Sequence, residues 1–96
     1  MIVRVLLWHR GDVAGITEAY HAASRELAGT PGLRGNELLQ VVGDPDCLLV
    51  ASEWESRDAF EQWERGVRHK GQTAPLRPFR DQRDRPYEVL RVVASY

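Results

Sequence analysis

Three segments of this 96-residue chain read as strands whose alternating faces are both apolar, and that pattern constrains the fold more than any other feature. Ile2 to Trp8 is β-branched and apolar on both faces apart from Arg4, and Cys47 to Trp54 and Tyr87 to Val93 share the character. Such strands need cover on two sides. The sequence offers only two helical patterns to provide it. Asp12 is a good N-cap for a helix from about Val13 to Ala28, with Val13, Ile16, Tyr20, Ala23 and Leu27 at helical spacing and Gly29 and Pro31 to stop it. Ser56 caps a second, Ser56 to His69, with Asp58 in its first turn and Phe60, Trp63 and Val67 as its apolar stripe.

Leu33 to Val42 reads as a further strand, joined to Cys47–Trp54 by the turn-forming run Gly43-Asp44-Pro45-Asp46. The stretch from Gly71 to Pro86 reads as an irregular connection holding a turn of helix around Ala74 to Leu76. The order is therefore β-α-β-β-α-β over a single domain, residues 1–96: an α+β, ferredoxin-like fold with a four-stranded antiparallel sheet. Two helices cover one face of such a sheet. The other face needs a partner, and an identical sheet from a second copy is the simplest one, so the expected assembly is a homodimeric α+β barrel. A chain this short gains stability from that association.

Thirteen basic and 14 acidic side chains leave a net charge of -1, spread along the chain, which argues against nucleic acid or an anionic membrane surface as partner. The basic tract between Arg65 and Arg91 is interrupted by Asp81, Asp84 and Glu88 and reads as solvated surface. Cys47 is the only cysteine, so neither an intramolecular disulfide nor a cysteine-based zinc cluster is available. With no leader pattern and no membrane-length apolar run, the expectation is a soluble, cytoplasmic protein. No internal repeat, low-complexity segment or linker interrupts the chain.

Pro31-Gly32-Leu33, Ser52-Glu53-Trp54 followed by Ser56 and Ala59-Phe60, Trp63 one turn on, His69, and Leu76-Arg77-Pro78-Phe79 stand in an order and spacing that resemble the antibiotic biosynthesis monooxygenase family of dimeric α+β barrels. The resemblance implies a pocket between helices and sheet, and cofactor-independent oxygenation of an aromatic, polyketide-like anthrone or phenol to a quinone in secondary metabolism, with O₂ as co-substrate. Related branches degrade haem, act on signalling quinones or cyclise polyketides. The family's helix-two Trp matches Trp63, and His69 falls where a Tyr or His stands; Asn36 and Arg77 are looser matches to its Asn and Arg. The haem-degrading branch places an Asn on strand one and a ligating His after helix two. Here strand one has no Asn, and the ligand position falls near Thr73.

Each candidate has a plain alternative. Trp63, beside Phe60, packs a core, or lines a pocket by stacking on a flat substrate and donating its indole N–H to an oxyanion. His69, at the predicted helix end, is a C-cap histidine or the general base, its ordinary pKa of ~6.5 suiting an acidic phenol or anthrone proton. Asn36, beside a bulge-prone Gly35, is a strand-edge polar group or an amide donor to a substrate oxygen. Arg77 clamps an anionic oxygen or bonds turn carbonyls. Trp8, Trp54 and Tyr20 read as core or dimer interface, and Tyr20 is carried with Phe60 and Arg77 as a substrate contact. His9 and His21 are weaker candidates, the one ending strand one and the other on the outer side of helix one. The histidines lack metal-ligand spacing, and no flavin, nicotinamide or haem-attachment motif occurs, so no metal and no cofactor are expected. Cyclisation, another proton transfer, or non-catalytic binding of a small molecule are the alternatives to oxygenation.

Overall fold

The computed structural model describes residues 1–85 and 87–96. Strand β1 (Val3–Arg10) leads to helix α1 (Val13–Leu27), the hairpin β2 (Leu33–Val41) and β3 (Asp44–Trp54), helices α2 (Arg57–Arg65) and α3 (His69–Thr73), a 3-10 helix (Ala74–Phe79), and β4 (Tyr87–Arg91). The sheet order is β2-β3-β1-β4 with every pair antiparallel. This is the ferredoxin-like βαββαβ arrangement expected from the apolar pattern.

Local chemistry sets the helix ends. Asp12 accepts from the Gly15 amide at 2.7 Å, and Ser56 Oγ from the Ala59 amide at 3.1 Å, so both N-caps are as read from sequence. Past α1, Gly29 takes a positive φ of 82°. Gly32, with φ 81°, passes so close to α2 that a Cβ there would lie 2.5 Å from the Ala59 Cβ. The Pro31-Gly32-Leu33 motif is thus a backbone requirement, setting how α2 approaches the start of β2.

Several boundaries differ from expectation. The second helix does not reach His69: it ends at Arg65, where Gly66 is extended and its N–H returns to the Trp63 carbonyl. Glycine's low helix propensity wins over the apolar spacing, and Val67, expected in the stripe, is 99% exposed. The chain re-enters helix at α3, which straddles the expected end of the second helix and the start of the stretch assigned to an irregular connection, and the turn of helix expected at Ala74–Leu76 is a 3-10 helix reaching Phe79; Pro86 lies outside the described residues. The hairpin turns at Val42-Gly43, so Asp44 and Pro45 belong to β3, where an irregular register after Gln40↔Leu48 tolerates a proline. β4 stops at Arg91, short of Val93. The bulge expected at Gly35 is present as a register shift between Leu33 and Gly35.

The helix-covered face buries two clusters. Ile16, Ala19, Ala23, Leu48 and Leu76 pack under α1 and the 3-10 helix; Val3, Val5, Trp54 and Phe60 pack under α2. Each fully buried large side chain contributes about 1.5–3 kcal/mol. The opposite face carries Leu6, Trp8, Leu39, Leu49 and Leu90, opposed across the strands as Trp8↔Leu49 and Leu39↔Leu49. Leu39 and Leu90 are each 42% exposed there. Arg83 lies over the Trp8 ring at 4.8 Å.

Candidate functional site

Between the two clusters lies a cavity of about 120 Å³, walled by Val5, Leu7, Val50 and Trp54 from the sheet, Ala23 and Leu27 from α1, and Phe60 and Trp63 from α2. Its walls are mainly apolar; Asn36, Ser52, Glu64, His69, Thr73, Arg80 and Tyr87 bring polar groups to it. A larger groove of about 500 Å³ lies outside, along α2 and β4, but there Glu61 pairs with both Arg57 and Arg65. Those charges are mutually satisfied at the surface, so the inner cavity is the stronger candidate.

Trp63 sits half-buried with its ring centroid 5.2 Å from Trp54 and 6.1 Å from Phe60. Its indole N–H is not offered to the cavity as the oxyanion reading required: it donates to Gln72 Oε1 at 2.7 Å. Trp54 is core, 1% exposed. Phe60 is both core and cavity wall.

His69 reaches the cavity from the first residue of α3, not from the end of α2, its ring edge-on to Trp63 at 4.4 Å and 80°. The expected stabilisation of its cation by a helix C-terminus is therefore absent. Burial pushes its pKa down, and Arg77, Arg80 and Lys70 add to that against an opposing pull from Glu64. The lowered pKa favours the neutral imidazole, the form a base requires.

Asn36 is on β2 at the cavity edge, its Oδ1 taken by the Tyr20 hydroxyl and by Ser24 Oγ at 3.4 Å. That leaves the NH₂ as the amide's free function, which fits a donor role. Tyr20 does not line the cavity; its hydroxyl orients Asn36. The i, i+4 pair Tyr20 and Ser24 on the inner side of α1 was a readable signal for a buried polar partner.

Arg77 is corrected. It is exposed, with a long contact to Thr73 Oγ1 at 3.4 Å, and the arginine on the cavity wall is Arg80. Arg80 Nε is buried without a hydrogen-bond partner, and burial followed by Arg77 lowers its pKa. A buried, unpartnered guanidinium N–H on an apolar wall suits an anionic oxygen. Beside it, paired to it by an isolated backbone bridge, His9 is 0% exposed; its Nδ1 lies 3.1 Å from the Leu7 carbonyl, so Nδ1 holds the proton and Nε2 is a buried lone pair with no partner. Burial lowers its pKa to about 4. Tyr87 is pushed up by burial and by Glu64. Gln72, Arg80 and Glu64 were missed because polar residues in irregular connections or on mixed helix faces carry no periodic mark.

Among the described residues, no group of three His, Cys, Asp or Glu side chains is placed to hold a metal, and no helix is long and apolar enough to cross a membrane.

The profile of the antibiotic biosynthesis monooxygenase family matches residues 1–71. The chain belongs to that family. It is 34% identical over 97 aligned positions to protein SchA of Streptomyces halstedii, covering 97% of this chain and 26% of that protein. It is 33% identical over 93 positions to the 42.8 kDa protein in the whiE locus of Streptomyces coelicolor, covering 93% and 23%. The chain thus spans about a quarter of the length of the curated relatives it matches. Among solved structures, SnoaB, a cofactor-independent oxygenase from Streptomyces nogalater, superposes with a TM-score of 0.78 at 15% identity, covering 98% of this chain and 94% of that one. At that identity the likeness shows the shared fold.

Proposed function

We propose that this domain of the antibiotic biosynthesis monooxygenase family is a cofactor-independent monooxygenase acting on a hydroxylated, polyketide-like aromatic. The supporting observation is the convergence, on one apolar cavity, of an imidazole whose burial favours its neutral form (His69), an amide whose Oδ1 is already engaged (Asn36) and a guanidinium whose buried Nε has no partner (Arg80). His69 removes a proton from the anthrone or phenol, and Arg80 and the Asn36 NH₂ hold the resulting oxyanion. The electron-rich anion passes one electron to O₂; the two radicals recombine as a peroxide, which loses water to leave the quinone carbonyl. One oxygen atom enters the product and the other leaves as water, the substrate supplying the electrons. The protein contributes desolvation, orientation and donors.

Oxygen uptake with 1,8-dihydroxyanthrone tests this. One O₂ should be consumed per quinone formed, well above spontaneous autoxidation; a rate equal to the protein-free control sinks it. The cavity volume favours one other reading. About 120 Å³ takes roughly one aromatic ring, which suits a module that binds a small ligand without turnover, or a proton-transfer reaction such as cyclisation. Tight binding without oxygen uptake would support that reading.

We propose also that two copies pack through the helix-free sheet face, because Leu39 and Leu90 stand exposed beside Leu6, Trp8 and Leu49.

A further inference from the structure

We propose that Gln72 is the positioning residue of the cavity, one side-chain amide that fixes the Trp63 indole and, through α3, the His69 imidazole. The weight of this for chemistry rests on the cavity being the active site; the geometry does not. Gln72 Oε1 accepts the indole N–H at 2.7 Å, and its Nε2 donates to the Glu26 carbonyl at 3.1 Å in the last turn of α1. A single residue of α3 therefore clamps α1 and α2 together.

α3 has five residues, too few to hold a helix by its own hydrogen bonds, and glycines 66 and 71 allow it to rotate. Its position follows from its ties. Thr73 Oγ1 donates to the His69 main-chain carbonyl at 3.0 Å, which ties the His69 backbone to the helix. The same indole that Gln72 fixes is the surface His69 packs on edge-on. With its N–H committed to Gln72, Trp63 presents only its ring to a ligand, so recognition at that wall is by stacking, and polar recognition falls to Asn36, His69 and Arg80. The charged groups acting on His69 are Glu64 from α2, Lys70 on α3, and Arg77 and Arg80 from the segment that follows. Displacing α3 changes its distance from each of them and rehydrates the ring.

The test needs no substrate. The imidazole resonances of His69 are titrated by NMR in the natural protein and in Gln72→Met, Trp63→Phe and the double variant, with exposed His21 as the control that should not move. Either single change should raise the His69 midpoint, and the double should raise it by less than the sum of the two, because both remove the indole–amide bond they share. An unchanged midpoint in folded Gln72→Met, or additive shifts in the double, overturns the proposal; a purely structural Gln72 would lower the melting temperature and leave the titration alone. Should Gln72→Met fail to fold, Gln72→Glu keeps the indole acceptor, loses the donor to the Glu26 carbonyl and adds a negative charge. Its Trp63 indole N–H resonance should then stay at the hydrogen-bonded position seen in the natural protein, and a resonance shifted to the free position overturns the proposal. Failure of oxygen uptake would leave these outcomes unaffected.

Discussion

With Nδ1–H on the Leu7 carbonyl and a lone pair facing the core, His9 is neutral in the folded chain and charges only when the chain opens. Its pKa falls from 6.5 to about 4, so the unfolded state binds more protons between those values. Stability is therefore full above pH ~6.5 and declines as pH falls toward ~4, by about 3 kcal/mol in all. Urea unfolding from pH 7 to 4 should show that loss, and His9→Leu should flatten it. At His69 the sign is read in rate. In the proposed role the neutral imidazole is the active form, and its pKa is lowered, so the acidic limb of kcat/KM should lie below the ordinary histidine range. His69→Ala should abolish the limb and cost ~10²-fold or more. Arg80→Met should weaken binding of 1,8-dihydroxyanthraquinone by ~10-fold or more, the scale of a charge-assisted hydrogen bond, whereas Arg77→Ala should change it little. Equal effects at both positions would restore Arg77 to the site.

Among elements, the strands and α1 were legible because their signals are periodic and capped: Asp12 and Ser56 stand where the structure uses them. The second helix was half legible. Apolar spacing carried the reading through Gly66, yet a single glycine outweighs one more apolar position, and the residues after it make a short helix and a 3-10 helix that have no full amphipathic turn to read. The site divides in the same way. Trp63, Phe60 and Asn36 lie on regular elements and stand at the cavity wall; Arg80 follows the 3-10 helix, in a stretch where spacing says nothing of direction, and the sequence pointed to Arg77 instead. At the entry to β2, Gly32→Ala should destabilise by about 2 kcal/mol or more, since a positive φ and the Ala59 contact both oppose a Cβ. Thermal denaturation checks this, and a neutral result would mean α2 can shift away freely.

At the level of the whole molecule, the helix-free sheet face decides the assembly. Leu90→Asp should dissociate the proposed dimer in sedimentation, and because Leu90 is exposed in the single chain, any unfolding that follows reports loss of the partner rather than damage to the core. A natural protein that sediments as a monomer at micromolar concentration would argue against the barrel. The cavity has a different consequence. It occupies the seam between two clusters that have no buried residue in common, so a bound aromatic ring would become the interior's own joining piece. Such a domain would be built around its guest. Its melting temperature should climb with ligand concentration, the climb reporting on how well the guest completes the interior, and its ligand preference can drift by exchange of seam side chains such as Leu7, Leu27 or Val50 while both halves keep their packing.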